Sequence, residues 1–217
     1  MTRGKFITLE GGEGAGKSTQ ATRLAERLRA LGHEVVQTRE PGGSPGAEAL
    51  RELLVRGEAG RWSPVAEALL MYAARSDHLE RVIRPALERG AWVVCDRFSD
   101  SSRAYQGAGG GVPSSVIESI DQAVVGLDQP DLTLIFDLPV EIGLERAHVR
   151  GGDARFESKG REFHERLRAG YLEIARAAPD RCVVLDAVAT PEQVAERAWK
   201  AVEDRLLSAD SVDRRLG

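Results

Sequence analysis

The chain has 217 residues, of which 42% are hydrophobic and 29% are charged, with a formal net charge of −4 and an isoelectric point near 5.7. This length favours one domain with a substantial core, and the slightly acidic balance argues against a broad surface for nucleic acid. No stretch approaches the ~20 apolar residues of a membrane span, and no apolar leader is visible. We therefore expect a cytoplasmic protein that binds neither nucleic acid nor membranes.

Five short apolar runs are typical of parallel strands covered on both faces. In chain order they are residues 6–9, 35–38, 92–95, 132–136 and 182–185. Helical patterns separate them, and two helix starts are marked by Ser63-Pro64 and Thr190-Pro191. This alternation predicts an α/β fold, a doubly wound five-stranded parallel sheet with helices on both faces, whose ligands bind beyond the carboxyl ends of the strands.

The first predicted strand runs into a glycine-rich loop. The residues that match G-x-x-x-x-G-K-[ST], the P-loop pattern, are Gly11, Gly16, Lys17 and Ser18. Backbone N–H groups of such a loop face phosphate, Lys17 would contact the β- and γ-phosphates, and the Ser18 hydroxyl would bind Mg²⁺. The predicted ATP-binding residues are Gly11, Gly12, Glu13, Gly14, Ala15, Gly16, Lys17, Ser18 and Thr19.

Glu13 is unexpected in the middle of this loop. A carboxylate there would be repelled by the phosphates that the loop binds. We therefore expect Glu13 to face a different group.

Two further strands end in polar residues at the same edge of the predicted sheet. The second strand runs into TREPGG, and the third ends at Asp96 and Arg97. An aspartate after an apolar strand of a P-loop protein usually belongs to the Mg²⁺ shell, so Asp96 joins Ser18 as a predicted metal ligand. The stretch that follows, DRFSDSSRAYQG, combines hydroxyls, an aromatic ring, an amide and two arginines, and we interpret it as a recognition loop.

The remaining segments complete one predicted domain, residues 1–207, followed by a flexible tail at 208–217. A glycine-containing segment at about 146–157 is predicted to be a lid that excludes water from the phosphates.

Cys95 and Cys182 lie in separate apolar runs, which indicates two buried thiols rather than a disulfide or a metal site.

Several of these motifs together resemble bacterial thymidylate kinases, members of the nucleoside monophosphate kinase family of P-loop proteins. The matching stretches, in order, are LEGGEGAGKST, TREPGG, LLMYAAR, DRFSDSSRAYQG and GLERAHVRGGDARFE. The P-loop alone is unspecific, but TREPGG combined with DR(Y/F)-x-x-S-x-x-AYQG is highly specific. The resemblance implies transfer of the γ-phosphoryl group of ATP to dTMP, giving dTDP for dTTP biosynthesis, with Mg²⁺ as cofactor and usually in a homodimer.

The resemblance also implies roles for residues around the acceptor. Arg97 and Arg51 resemble the arginines that hold the dTMP phosphate, and Arg75 resembles the one that reads a thymine carbonyl. Ser102 and Gln106 correspond to residues that contact or flank the base.

Two other positions concern the sugar. Tyr105 corresponds to the aromatic residue that crowds the 2′ position, and Glu13 to the carboxylate that accepts a hydrogen bond from the 3′-OH.

An aromatic residue commonly stacks on thymine where this chain has Met71, with Tyr72 beside it. Either the thioether replaces the ring or Tyr72 turns towards the base.

The lid also departs from the family pattern, because His148 and Ala154 stand where arginine and aspartate are frequent. Arg146, Arg150 and Arg155 remain. The P-loop itself contains no arginine, so we expect Arg150 or Arg155 to act with Lys17 and Arg97 in catalysis.

Two alternatives are weaker. A kinase for another nucleoside monophosphate would share the P-loop and lid, and only an assay separates it from the main prediction. A P-loop switch or assembly factor would need no small-molecule acceptor, and a GTPase would need Asn-Lys-x-Asp, which the sequence lacks.

Overall fold

The structure is a computed structural model that describes residues 3–56, 60–150 and 159–208, apart from the side chain of Arg150. The strands are β1 (Phe6–Gly11), β2 (Val35–Arg39), β3 (Trp92–Asp96), β4 (Leu132–Asp137) and β5 (Cys182–Asp186). Within the described residues they form one parallel sheet in the order β2-β3-β1-β4-β5, which confirms the predicted sheet. Each strand extends one or two residues beyond its apolar run, and these extra residues reach the rim where polar side chains begin.

Helices connect the strands on both faces of the sheet. They are α1 (Lys17–Ala30), α2 (Pro45–Val55), α3 (Pro64–His78), α4 (Arg84–Glu88), α5 (Ser99–Ser102), α6 (Ser114–Val124), α7 (Val140–Arg150), α8 (Arg161–Ala177) and α9 (Pro191–Val202). π-Helical turns continue α3, α5 and α9 at Leu79–Ile83, Arg103–Gly109 and Glu203–Leu207. None of the described helices is long and apolar enough to cross a membrane.

Both predicted helix starts are confirmed. The Ser63 hydroxyl accepts a hydrogen bond from the Ala66 N–H at 3.3 Å. Thr190 and Gln193 exchange hydrogen bonds between side chain and backbone at 3.2 and 3.3 Å, forming a capping box. Proline follows the capping residue in each case, where its missing N–H costs nothing.

Alternation along β1 places the core on both faces of the sheet. Ile7 and Leu9 pack with α1 and α9, whereas Phe6 packs with α3, α4 and α6. On β4, Ile135 packs with α8. This double coverage anchors β1 and therefore fixes the loop that follows it.

The two edge strands, β2 and β5, are less covered by helices than their apolar runs predict. The central strands β1, β3 and β4 are buried almost throughout, whereas β2 has only half-buried and exposed positions and β5 combines buried, half-buried and exposed ones. Val184 of β5, for example, is 43% exposed. β-Branched side chains suit an edge strand as well as a central one, so their apolar run does not reveal its place in the sheet.

The predicted recognition loop after Asp96 is also wrong in its backbone, because residues 99–109 are helical. Helical spacing brings Ser101, Ser102, Tyr105 and Gln106 to one face of this segment, where all four line the same cavity. The two cysteines are buried and free of disulfides, as predicted.

Candidate active site

Two neighbouring cavities open at the carboxyl edge of the sheet. The P-loop cavity is lined by Glu13, Gly14, Gly16, Lys17, Ser18, Arg39, Glu40, Arg51, Asp96 and Arg97. The recognition cavity is lined by Glu13, Glu40, Pro41, Arg51, Val55, Met71, Arg75, Arg97, Phe98, Ser101, Ser102, Tyr105 and Gln106. Glu13, Glu40, Arg51 and Arg97 line both cavities, so two ligands seated in them would meet at these side chains.

The P-loop adopts the backbone that its glycines permit. Gly14 and Gly16 have positive φ angles of 69° and 83°, which other residues rarely adopt. A Cβ on Gly14 would lie 2.0 Å from the carbonyl oxygen of Gly143, so the loop also packs closely on the first turns of α7. The following helix, α1, begins at Lys17 and directs its N-terminus into the cavity.

Lys17 lies almost fully buried in this loop, with 6% of its surface exposed. Its ammonium donates a hydrogen bond to the Gly12 carbonyl at 2.7 Å. Burial, followed by the charge of Arg97, lowers the pKa of Lys17 to about 8, although Glu13 and Asp96 oppose the shift. The amine is still mostly protonated at pH 7 and matches an anionic ligand.

Ser18 and Asp96 lie together, as predicted for a metal site. The Ser18 hydroxyl donates to one Asp96 carboxylate oxygen at 2.5 Å. The other oxygen, Oδ1, is buried and accepts no hydrogen bond from the described residues. Such an orphaned carboxylate oxygen beside a hydroxyl fits a hard cation such as Mg²⁺. The described residues contain no group of three or more acidic, histidine or cysteine side chains for a metal, so phosphate and water would complete this shell.

Arg97 lies between the two cavities. Its backbone has φ 71°, a left-handed conformation that is uncommon for any residue except glycine. Its guanidinium donates to the Gly11 carbonyl at 3.0 Å and to Glu13 Oε1 at 3.1 Å, and lies 4.8 Å from the centre of the Tyr105 ring.

Glu13 lies in the wall shared by the two cavities, where Tyr105 and Arg97 hold its carboxylate. Tyr105 donates its hydroxyl to Glu13 Oε1 at 2.6 Å, and Arg97 donates to the same oxygen. Burial alone would raise the pKa of Glu13, but the positive charges of Arg97 and Lys17 outweigh burial and lower it to about 2. The side chain is therefore a carboxylate throughout the physiological range.

Arg75 lines the recognition cavity but not the P-loop cavity, and its guanidinium is held by three groups. It donates to Glu40 Oε2 at 2.7 Å, to the Ser102 hydroxyl at 3.0 Å and to the Phe98 carbonyl at 2.9 Å. Glu40 also contacts His78 Nδ1 at 3.0 Å. Sequence reasoning missed Glu40 and His78, although Glu40 lies within the TREPGG motif.

The structure distinguishes Met71 from Tyr72. Met71 lines the recognition cavity. Tyr72 is 1% exposed, and its hydroxyl donates to Asp121 at 3.0 Å, which turns the ring under Arg75. Tyr72 therefore does not face the cavity, and the thioether occupies that wall.

All the side chains predicted to bind the acceptor line one cavity: Glu13, Arg51, Met71, Arg75, Arg97, Ser102, Tyr105 and Gln106. Gln106 is oriented by Glu67, a residue that sequence reasoning missed, with Nε2 to Oε1 at 2.9 Å. Arg51 donates to the Pro41 carbonyl at 2.8 Å.

The predicted lid falls mostly outside the described residues. Residues 151–158, which include Ala154 and Arg155, lie there, as does the side chain of Arg150. Within α7, Arg146 donates to the carbonyls of Ala187 and Val188 at 3.0 and 3.2 Å. The roles predicted for Arg150 and Arg155 stay predictions.

Comparison with known proteins shows what the chain resembles. The family model described as thymidylate kinase matches residues 9–198. A thymidylate kinase of Caulobacter vibrioides is 68% identical over 206 residues, covering 95% of this chain and 99% of that protein. A thymidylate kinase of Afipia carboxidovorans is 54% identical over 210 residues, covering 95% and 92% respectively. A crystal structure of thymidylate kinase from Ehrlichia chaffeensis has a TM-score of 0.76 at 33% identity and covers 92% of this chain and 99% of that one.

Proposed function

The chain belongs to the thymidylate kinase family and is a dTMP kinase, and we propose that ATP binds in the P-loop cavity while dTMP binds in the recognition cavity. The observation that carries this arrangement is the wall common to both cavities, formed by Glu13, Glu40, Arg51 and Arg97. Phosphoryl transfer needs donor and acceptor in line and in contact. A shared wall supplies that contact.

On the donor side, we assign the triphosphate to the loop backbone, Lys17 and the N-terminus of α1. Ser18 and Asp96 would hold Mg²⁺, which neutralises charge on the β- and γ-phosphates when it is bound. The support is the buried Asp96 oxygen that lacks a hydrogen-bond partner among the described residues, since coordination would satisfy it.

On the acceptor side, the charged side chains divide the cavity into a phosphate end and a base end. Arg97 and Arg51 form the end nearest the P-loop, so the dTMP phosphate belongs there. Arg75, Ser102 and Gln106 line the recognition cavity only, so we assign the edge of the base to their side chains. This polarity presents a phosphate oxygen to the γ-phosphoryl group.

A coupled assay with ATP and Mg²⁺ against a panel of nucleoside monophosphates tests the assignment. We expect dTMP to be the best acceptor, dUMP weaker and the ribonucleotide TMP much weaker, because the buried Tyr105 ring crowds the sugar. Equal rates with all monophosphates, or turnover without an acceptor, would contradict a cavity specific for dTMP.

We further propose that the protein is a cytoplasmic homodimer. The two buried thiols are typical of a reducing compartment. For the dimer, the support is an apolar face on the adjacent helices α2 and α3, where Leu53, Val65 and Leu69 are 40%, 43% and 52% exposed. Sedimentation velocity should give about twice the 23.6 kDa chain mass, and Leu69→Glu should shift the protein towards the monomer. A monomeric parent at micromolar concentration would exclude the dimer.

A further inference from the structure

Glu10 is a buried carboxylate with no role in the site described so far. It lies near the end of β1, directly before the P-loop, and none of its surface is exposed. Its Oε1 accepts hydrogen bonds from the backbone N–H groups of Phe98 and Ser101 at 2.8 and 3.3 Å. Its Oε2 accepts from the hydroxyls of Ser101 and Tyr171 at 2.6 and 3.2 Å. One carboxylate thus joins β1, the start of α5, and α8.

The residues that bond to Glu10 are neighbours of Arg97, either in the chain or in space. Phe98 and Ser101 follow it in the chain, so Glu10 fixes the backbone on the C-terminal side of Arg97. The hydroxyls of Ser101 and Tyr171 also lie 3.3 and 3.4 Å from Arg97 Nη1. Each hydroxyl has one proton, and a hydroxyl that donates it to Glu10 keeps its oxygen free to accept from the guanidinium.

Arg97 needs such support because of its own backbone. A left-handed φ of 71° is unfavourable for a residue with a Cβ and persists only where the surroundings hold it. The helix that starts at Ser99 adds a second need, since its first N–H groups have no partner within the helix. Glu10 meets both needs with one negatively charged group at that helix N-terminus.

We propose that Glu10 is a positioning residue, which sets the guanidinium of Arg97 for the phosphate of dTMP. This inference rests on the proposed function, because it takes the phosphate end of the recognition cavity as given. Glu10 touches neither substrate in this scheme and acts only through Phe98, Ser101 and Tyr171.

The charge of Glu10 matters to this role. Burial, and next the negative charge of Asp100, raise the pKa of Glu10 to about 7 against the opposing effects of Ser101, Arg97 and Phe98. The ionised form accepts four hydrogen bonds, whereas a protonated form would lose an acceptor. Positioning should therefore weaken as the pH falls through 7. The titratable groups that interact with Glu10 from neighbouring elements are Lys17, Cys95, Arg97, Asp100, Tyr171 and Cys182.

Binding of dTMP and of thymidine to the full-length protein separates positioning from general damage to the site. Thymidine has the base and sugar but no phosphate. At pH 8.5 we expect Glu10→Gln to raise the Kd for dTMP about tenfold, the lower range for a hydrogen bond to a charged group, and to leave the Kd for thymidine nearly unchanged. The matched control is Glu67→Gln, another buried glutamate, which orients Gln106 and lines neither cavity, so it should weaken the binding of both ligands equally.

The pH dependence gives a second readout. The ratio of the dTMP Kd of Glu10→Gln to that of the parent should fall towards one as the pH is lowered to 6, because the parent then loses its charge at Glu10. Ionisation of the dTMP phosphate affects both proteins equally and cancels in this ratio. A ratio that stays constant with pH would show that the charge of Glu10 does not position Arg97.

The outcomes are distinguishable. If the parent binds thymidine as tightly as dTMP, the proposed phosphate end is wrong. If the parent prefers dTMP and Glu10→Gln keeps that preference in full, the inference about Glu10 is overturned. Should Glu10→Gln fail to fold, Tyr171→Phe and Ser101→Ala each remove one hydroxyl of the same network. If Glu10 acts through these hydroxyls, both variants must raise the Kd for dTMP and leave the Kd for thymidine nearly unchanged.

Discussion

Replacing Glu13 by glutamine should lower kcat/KM for dTMP by about ten- to a hundredfold while leaving the KM for ATP nearly unchanged. A hydrogen bond from the 3′-OH to an ionised carboxylate contributes roughly 1.5–3 kcal/mol, and glutamine carries no charge. The pKa of about 2 ensures that the parent side chain is ionised at assay pH. Steady-state kinetics with each substrate varied in turn measures both effects.

A second substrate sharpens this test. The analogue of dTMP that lacks the 3′-OH cannot make the proposed hydrogen bond. Glu13→Gln should therefore lower kcat/KM for this analogue much less than for dTMP. Glu13→Asp is the matched variant, because it keeps the charge and moves it back by one methylene. If Glu13→Gln instead raised the KM for ATP and left the kinetics with dTMP normal, the carboxylate would act on the donor side.

The pH dependence of stability from Glu13 has a definite sign. Its folded-state pKa lies below the ordinary glutamate pKa of 4.5, so its ionisation stabilises the fold above that pH. The contribution is lost as the pH falls from about 4.5 to about 2. Between pH 6 and 9 Glu13 therefore adds no slope, and a change of dTMP binding in that range belongs to other groups such as Glu10.

The parts of the site that could be predicted from sequence are those encoded locally. The P-loop needs glycines, a lysine and a hydroxyl at fixed spacing, and that spacing can be read without a structure. The strand ends were equally clear, because apolar runs stop where Asp96 and Arg97 begin. Parallel strands then bring such ends to one edge, so Ser18 and Asp96 meet although 78 positions separate them.

The parts that could not be predicted depend on distant partners. The serine-rich segment 99–109 has weak helix propensity, and its first N–H groups are capped by Glu10, 88 positions before Phe98. The choice between Met71 and Tyr72 is made by Asp121, 49 positions beyond Tyr72. No local pattern signals either contact, so the sequence alone predicts a loop in place of this helix and does not choose between Met71 and Tyr72.

The second large effect should come from the arginines of the predicted lid. In the described part of the site, two arginines that line the P-loop cavity are engaged by other groups, Arg39 by Glu48 and Arg51 by the Pro41 carbonyl. The variable P-loop positions contain no arginine, Arg97 is engaged by Glu13 and the Gly11 carbonyl, and Lys17 is a single ammonium. The chain that leads to the lid begins beside the loop, since α7 packs on Gly14 through Gly143.

We therefore expect Arg150→Ala or Arg155→Ala, Arg150 with the larger effect, to lower kcat by about 10³–10⁵, the range for an arginine that stabilises phosphoryl transfer. The effect should appear in kcat rather than KM, because the contact forms in the transition state. Arg176→Ala is the matched control, as that arginine is exposed and paired with Glu173 within α8. If both lid variants keep kcat within about threefold of the parent, a barrier change of only ~0.65 kcal/mol, the lid covers the site without supplying charge to it.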